Sequence, residues 1–301
     1  MQYLINIYML IRLFVVSLFF LFSLNAYLRD DLSELEKQKV DKVLSLAADF
    51  SRAERSEALS GGAGTVDKIG KNAFSHHFKN LSFEERQDFL IGNAFFRKVW
   101  IASPSSTTSS DGLGPLYNAR ACQSCHIKDG RGHLPKDEKP LSAVLKVGNY
   151  KNINLIPHKT YGKQFQFFAI PGLSSESALS INFMANKYIN AMGSRLALKY
   201  PNYQLSSLKY GNLDNDTSLS LRISPQVIGV GLLEAIEESD ILAKQDIYDK
   251  DNDGISGIAR IVYDNKGIEK IGRFGIRAST PDLFVQTGTA FMHDMGLSNS
   301  V

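Results

Sequence analysis

Residues 119–133 read ARACQSCHIKDGRGH and contain both cysteines of the chain, Cys122 and Cys125, with His126 directly after the second. The C-x-x-C-H spacing is typical of three kinds of site: a redox dithiol, part of a zinc site, and the covalent attachment site of a haem. The surrounding sequence has to distinguish between them.

Two of these sites fit the surroundings poorly. A structural zinc site needs four protein ligands, commonly with a second Cys or His pair, and the chain has no other cysteine. A thioredoxin-like dithiol begins a helix directly after a strand, whereas a polar, glycine-containing loop, SSTTSSDGLGPLYN at 105–118, precedes this motif. A structural disulfide between the two cysteines stays open as an alternative.

Haem attachment explains why the three residues stand in this order. Two sulfurs bond the two vinyl groups of the porphyrin, and the imidazole of the next residue lies beneath the iron as its proximal ligand. We therefore predict covalent haem c, held by Cys122 and Cys125, with the iron bound by His126.

Other residues near the iron are less well determined by the sequence. The sixth iron ligand is open, and six side chains are chemically able to fill it, although each is individually more typical of core or surface packing: Met184, Met192, Met292, Met295, His133 and His293. Arg120 and Arg131 flank the motif and could pair with the haem propionates. Trp100 could pack near the haem or in the core.

The N-terminal residues are typical of export. Residues 13–26, LFVVSLFFLFSLNA, are almost wholly apolar, follow Arg12 and end on the small residue Ala26. We predict that residues 1–26 are a cleaved signal peptide, with a retained membrane anchor as the alternative. The predicted location is the periplasm, with membrane contact if the segment is retained, and export agrees with haem attachment.

The charges argue against a nucleic-acid partner. The 34 Lys and Arg residues are nearly balanced by 31 Asp and Glu, so the net charge is +3, and the basic residues are scattered. The 44% hydrophobic content of the 301 residues is normal for a packed globular protein.

Two capping boxes predict helices. Ser33 and Glu36 open an amphipathic helix within an N-terminal segment, 27–60, and Ser82 and Glu85 open a second helix that leads to the haem loop. The flexible stretch SGGAG at 60–64 then marks the start of the main haem-binding domain, 61–301.

Two later stretches differ in their predicted secondary structure, one being strand and the other helix. Alternating apolar residues from Leu179, with a turn at Gly193, predict a small β excursion. The sequence from Ser224 predicts a helix in two pieces, with Pro225 in the first turn and Ser239 capping the second piece.

A second candidate site is the acidic loop DKDNDGISG, residues 249–257. Asp249, Asp251 and Asp253 alternate before Gly254, as in loops that direct several oxygens at calcium. The twelfth position is Arg260, where an EF-hand has its bidentate Glu, so another part of the fold would have to supply that ligand. A solvated turn is the alternative.

Taken together, several blocks resemble the bacterial di-haem oxidoreductase family, which is grouped with peroxidases and often labelled thiol oxidoreductase. The resemblance runs from about Gly61 to the C-terminus in GNAFFRKVWIASPSSTTSSDGLGPLYNARACQSCHIKDGRGH, YGKQFQFFAIPG, SPQVIGVGLLEAIEESDIL, DKDNDGISG and GRFGIRASTPDL. It implies a mainly α fold, with a cytochrome c-like haem domain, long loops and a small β excursion, and a distant relation to bacterial cytochrome c peroxidases.

The resemblance also sets the expected function. Family members carry a second C-x-x-C-H that this sequence lacks, so we expect either a single-haem relative or a fragment whose haem-binding domain, 61–301, is incomplete. The expected function is an exported c-type cytochrome in electron transfer with peroxidase-like oxidoreductase activity, taking electrons from a redox partner protein or small donor and using peroxide as substrate.

Two alternatives belong to other classes of protein. One is a non-catalytic electron-carrying haem module, or the N-terminal fragment of a split di-haem enzyme. The other is a disulfide-bonded exported binding protein, which would have no chromophore. No catalytic residue is identified by the sequence.

Overall fold

The computed structural model describes residues 32–44, 49–133, 142–151 and 154–301. The predicted leader, residues 1–26, lies outside these described residues. Within them, no helix combines the length and the apolar character that a membrane crossing requires.

The mainly α fold expected from the family resemblance is wrong. The described residues are 26% helical and 25% strand, arranged in several small sheets. The helices are α1 Glu34–Leu44, α2 Phe83–Arg97, α3 Cys122–Cys125, α4 Val230–Glu234, α5 Glu238–Ala243 and α6 Leu283–Met295. The strands are β1 Ile101–Ala102, β2 Asp111–Leu113, β3 Leu116–Tyr117, β4 Ala143–Lys151, β5 Asn154–Ile156, β6 Phe168–Ala169, β7 Ala178–Ile189, β8 Arg195–Ser206, β9 Thr217–Ile223, β10 Ile261–Tyr263 and β11 Glu269–Ile271.

The main core lies on β4, the central strand of the sheet β5-β4-β9. Leu145 and Val147 alternate along β4 and so lie on the same face, where they pack with Phe165 and with residues of β7. Leu145 and Phe165 are both 0% exposed, and burying such a side chain stabilises the fold by about 1.5–3 kcal/mol. The apolar alternation along β4 has the two-residue period of a strand, which is why this segment forms sheet and not helix.

The β excursion is confirmed and is longer than a small one. β7 and β8 pair in antiparallel register over twelve residues each, from Ala178 opposite Ser206 to Ile189 opposite Arg195. The chain reverses at Asn190–Ser194, where Gly193 has a φ of +77°, a left-handed conformation that glycine adopts without strain. The predicted turn position is therefore confirmed.

The helix predictions are confirmed in part. Both capping boxes form: the Ser82 N–H donates to Glu85 Oε2 at 2.7 Å and the Glu85 N–H to Ser82 Oγ at 3.2 Å, and Ser33 and Glu36 pair likewise. The two helical pieces after residue 224 are α4 and α5. Pro225 precedes α4 instead of lying in its first turn, because the backbone at 224–227 bonds to the motif loop. Ser239 lies inside α5, which has Glu237 at its N-cap position.

The chain divides into two compact units. One holds the described residues up to Thr65 together with Gly231–Asp282, including β10, β11 and the acidic loop. In it, Arg273 Nη1 donates to the carbonyl oxygens of Leu233 and Glu234 at 3.0 Å, which satisfies the C-terminal end of α4. The other unit, Val66–Val230 with Leu283–Val301, holds the cysteine motif and the main core. The boundary at residue 61 stays a prediction.

Candidate haem-binding site

The cysteine motif forms one short helical turn, α3. Cys125 is buried, whereas Cys122 and His126 are partly exposed. The His126 N–H donates to the Cys122 carbonyl oxygen at 3.0 Å, which closes the turn. The two sulfurs and the imidazole therefore come from a single compact turn.

The loop before the motif is bonded to the C-terminal end of α6. Gly114 donates its N–H to the Met295 oxygen at 2.9 Å, and Asn118 and Ala119 donate to the Asp294 oxygen at 2.8 and 3.0 Å. The last carbonyl groups of a helix lack partners within that helix. The loop supplies those partners, and α6 in turn holds the loop in position.

The residues just after His126 are held from another direction. Lys128 and Asp129 have φ values of +53° and +64°, a conformation uncommon for residues with side chains. Lys128 Nζ donates to Asn72 Oδ1 at 2.8 Å, and the Ser75 hydroxyl donates to the Asp129 carboxylate. These bonds hold the tight turn that follows the motif.

The chain leaving β9 closes over the same turn. Gly132 donates its N–H to the Ser224 oxygen at 2.9 Å, and Val227 donates to the Asp129 oxygen at 3.3 Å. A side chain at Gly132 would place its Cβ 2.4 Å from the Ser142 oxygen, so this approach requires glycine. The segment 224–227 is therefore fixed beside the motif.

This segment directs a backbone carbonyl at His126. His126 Nδ1 lies 2.7 Å from the Pro225 oxygen, and because a carbonyl can only accept, Nδ1 carries the proton and donates. In the neutral imidazole, Nε2 is then the nitrogen without a proton, which an iron-binding imidazole requires, and a backbone carbonyl is a usual partner for the other nitrogen of a metal-binding histidine. The Phe96 ring packs against the imidazole at 6.2 Å between centroids. The donor set of this turn therefore fits a haem.

The surroundings of the thiols do not suit a redox dithiol. Burial raises the pKa of Cys122, and it raises the pKa of Cys125 to about 11. The nearby Asp294 carboxylate also raises both pKa values, whereas a hydrogen bond with Ser224 lowers the pKa of Cys125. Reactive cysteines have a lowered pKa. Neither cysteine is in a disulfide.

The other residues predicted around the iron are dispersed. Arg120 and Arg131 are exposed on either side of the motif, so their role with the propionates stays a prediction. The Trp100 indole packs at 6.0 Å on Phe291 of α6, with Lys98 Nζ 4.3 Å from its ring centroid. The backbone N–H of Trp100 donates to the Arg120 carbonyl oxygen at 2.7 Å. Trp100 is thus a packing residue whose backbone adjoins the motif.

The candidate sixth ligands separate into two groups. Met184 and Met192 lie on the exposed part of the β7–β8 hairpin, and His133 is exposed after the motif. Met292, His293 and Met295 lie in the last turn of α6, the helix end bonded to the motif loop, with Met295 buried. The identity of the sixth ligand stays open.

A polar cluster beside this helix end was missed by sequence reasoning. Gln164 Nε2 donates to the His293 oxygen at 2.8 Å and to Asp294 Oδ1 at 2.7 Å, and Gln166 Nε2 donates to the same His293 oxygen at 2.7 Å. Burial lowers the pKa of His293, with Lys146 and Lys163 acting in the same direction. The cluster joins the core strands to the helix that carries Asp294.

Glu176 is the most perturbed carboxyl of this cluster. Burial raises its pKa to about 7, although the Gln166 N–H, which donates to Glu176 Oε2 at 2.6 Å, acts in the opposite direction. Asn118 lies four residues before Cys122 and bonds to the backbone on both sides of Gln166. Its Nδ2 group donates to the Phe165 oxygen at 2.7 Å, and its Oδ1 accepts from the Phe167 N–H at 3.2 Å. Only tertiary contacts place Glu176 here, so no sequence signal could have identified it.

Three carboxylates meet at the acidic loop, but they are not the three that the sequence predicted. Asp249 and Asp251 have carboxylate oxygens within 4.8 Å of each other and of Asp246, so the third acid is Asp246. Asp253 is outside this cluster and instead accepts from the Ile255 N–H at 2.7 Å. The Asp249 carboxylate also accepts from the Gly254 N–H at 3.2 Å, which shapes the turn.

Comparison with known proteins identifies one family. The sequence profile described as "Di-haem oxidoreductase, putative peroxidase" matches residues 55–155 and 196–301, more than half of the chain. The matched residues include the cysteine motif, the acidic loop and α6. Searches of curated proteins and of solved structures found no match to this chain.

Proposed function

The chain belongs to the di-haem oxidoreductase family, a family of haem-binding oxidoreductases, and from this we propose that it is an exported c-type cytochrome that reduces peroxide. The observation that carries the proposal is the hydrogen bond from His126 Nδ1 to the Pro225 oxygen, because it prepares the imidazole to bind iron through Nε2. Cys122 and Cys125 are the proposed thioether residues.

When bound, haem supplies an iron centre that exchanges electrons. The protein supplies the proton chemistry in this proposal. A carboxyl with a pKa near 7 exchanges protons readily at neutral pH, and Glu176 is such a group. Its carboxylate binds the Gln166 N–H, and Asn118, in the loop before the cysteine motif, bonds the residues on both sides of Gln166. From this link to the motif loop we propose that the Glu176 carboxylate takes a proton from peroxide and returns it to the leaving oxygen.

Electron supply requires a partner. We propose a redox partner protein or a small electron donor in the periplasm. The location rests on the apolar run at 13–26, and membrane contact through that segment follows if it is retained. The cysteines take no part in the proposed redox chemistry, since both sulfurs are bonded to the porphyrin as thioethers.

The decisive experiment is spectroscopic. The protein is expressed with a cytochrome c maturation system, and its pyridine haemochrome spectrum is compared with that of the double variant Cys122→Ala/Cys125→Ala. We expect a c-type spectrum that survives acidified-acetone extraction in the parent chain and haem that is extracted from the variant. A colourless parent protein would refute the proposal.

A second measurement separates an enzyme from an electron carrier. If the protein reduces peroxide, its iron binds cyanide, and steady-state turnover with peroxide and a reduced dye is measurable. An iron that binds no cyanide and is inert to peroxide would instead identify an electron-carrying module. His126→Ala, which removes the proposed proximal ligand, is the matched variant, and it should lose peroxide turnover.

We also propose calcium as the occupant of the acidic loop. In support, three carboxylates from Asp246, Asp249 and Asp251 converge at this loop, and their mutual repulsion would be relieved by a hard cation. Calcium would stabilise the unit that contains the loop and takes no part in the proposed chemistry.

A further inference from the structure

The distal half of the β7–β8 hairpin is exposed on both faces. Every residue from Ala191 to Asn202 is exposed, as are Met184–Ile189 on the opposite strand. The proximal half is different, because Leu179 and Ile181 are buried in the main core. The hairpin is therefore anchored at its base and has a free arm and tip.

One face of this arm is apolar. In the antiparallel register, Met184 lies opposite Tyr200, and Tyr188 lies opposite Leu196. With Leu198, these side chains share one face, because alternate residues of a strand point to the same side. At the tip, Met192 is 87% exposed, and Ile189, which pairs with Arg195 and so belongs to the opposite face, is 72% exposed. An exposed apolar surface of this kind marks an interaction site.

The opposite face is positively charged. Lys187, Arg195 and Lys199 belong to the other set of alternate residues. Residues 178–206 contain no Asp or Glu, so the hairpin carries three positive charges and no negative one. Ile189 lies on this charged face opposite Arg195, so an exposed apolar side chain adjoins unopposed cations near the tip, an arrangement complementary to an anionic lipid surface.

The backbone of the tip is prepared to leave water. Asn190 Oδ1 accepts from the N–H groups of Met192 and Ser194 at 3.1 and 2.8 Å, and the Gly193 N–H donates to the Asn190 oxygen at 2.9 Å. The Asn190 N–H donates to the Ser194 oxygen at 3.0 Å. Polar backbone groups enter an apolar medium at low cost only when they are already hydrogen-bonded.

We propose that the β7–β8 hairpin docks this protein on an anionic lipid surface. Met192 and Ile189 enter the interface, and Lys187, Arg195 and Lys199 contact the lipid headgroups. Tyr188 and Tyr200 suit the same level, because their rings are apolar and their hydroxyls are polar. This docking is independent of the haem chemistry and of the N-terminal segment.

Vesicle binding of the mature protein tests the proposal. The vesicles are phosphatidylcholine alone or phosphatidylcholine with phosphatidylglycerol. We expect binding to the anionic vesicles, weakened at least about a hundredfold by Lys187→Glu/Arg195→Glu/Lys199→Glu and about tenfold by Ile189→Ser/Met192→Ser. A control with the same charge change on exposed lysines elsewhere, Lys68→Glu/Lys71→Glu/Lys79→Glu, should change binding far less.

A second measurement works even if the N-terminal segment holds every variant on the vesicles. A nitroxide label on Met192→Cys should become more accessible to oxygen and less accessible to a water-soluble nickel complex when anionic vesicles are added. The same label on Asn202→Cys, nearer the base of the hairpin, should not change.

Two results would overturn the proposal. One is a label at residue 192 that stays in water together with equal binding of all variants. The other is equal binding to vesicles with and without phosphatidylglycerol, because docking on an anionic surface requires the negatively charged headgroups.

Discussion

His126 Nδ1 donates a hydrogen bond to the carbonyl oxygen of Pro225 at 2.7 Å, although the two residues are 99 positions apart. The bond depends on two groups of contacts, one that holds the motif turn and one that holds the chain after β9. It is the feature that makes this imidazole suitable as an iron ligand, since it fixes both the tautomer and the orientation of the ring.

Weakening the hydrogen bond between His126 and the Pro225 carbonyl should change the iron site without removing it. In Pro225→Gly, the backbone gains freedom and the bond to His126 weakens, so the imidazole becomes a weaker donor. We expect a higher reduction potential and about tenfold to a hundredfold less peroxide turnover. Redox titration and steady-state kinetics check this. Pro157→Gly, at an exposed proline, is the control, and an equal effect there would contradict the assignment.

Peroxide turnover should depend on the ionisation of Glu176. If its carboxylate accepts the peroxide proton, the rate rises with pH through about 7, the pKa that burial gives this group. Glu176→Gln should lower the rate by about two to four orders of magnitude and remove the inflection. Glu238→Gln, on the exposed face of α5, should leave the profile unchanged. An inflection that survives in Glu176→Gln would assign the proton transfer to another group.

The same carboxyl should make stability depend on pH. Its pKa is raised in the folded chain from 4.5 to about 7, so folding favours the protonated form. This contribution is complete below pH 4.5 and is lost as the pH rises through 7. As the pH rises from 4.5 to above 7, the free energy of unfolding should therefore fall by about 1–2 kcal/mol more in the parent chain than in Glu176→Gln, after allowing for solvent screening. Urea titrations at several pH values measure the difference.

Two glycine substitutions should have opposite effects. A Cβ at Gly114 would lie 2.5 Å from the Gly296 Cα, where the loop before the motif crosses the end of α6, so neither backbone can give way cheaply. Gly114→Ala should destabilise the chain by about 2–4 kcal/mol. Gly92, inside α2, has open space, so Gly92→Ala should stabilise by up to about 1 kcal/mol. Thermal unfolding compares them, and a tolerated Gly114→Ala would contradict this packing.

Calcium should distinguish two neighbouring aspartates. Calcium at a hundred times its dissociation constant should stabilise the protein by about 2.7 kcal/mol. Asp249→Asn should abolish this shift, whereas Asp253→Asn should retain most of it, because Asp253 is outside the carboxylate cluster. Calorimetry with calcium and with chelator measures both variants. No shift in the parent chain would identify the loop as a solvated turn.

The helix starts and the hairpin turn were predictable because they depend on neighbours in the sequence. The Ser82–Glu85 capping box joins residues three positions apart, and Gly193 supplies a backbone conformation locally. The fold class was not predicted correctly, because the expected helical character came from a family resemblance. The alternation in β4 and β9 acquires its meaning only when the two strands pair.

By itself, the sequence determined local features of this protein: the two sulfurs and the imidazole of one motif, the two capping boxes, and a β excursion with its turn at Gly193. The tertiary structure alone decided which carbonyl faces His126, that Asp246 takes the place of Asp253 in the acidic cluster, and that Glu176 is buried enough to titrate near neutral pH. The physical reason is range. Capping and strand alternation act over two to four residues, whereas desolvation and hydrogen bonding depend on groups that only folding brings together.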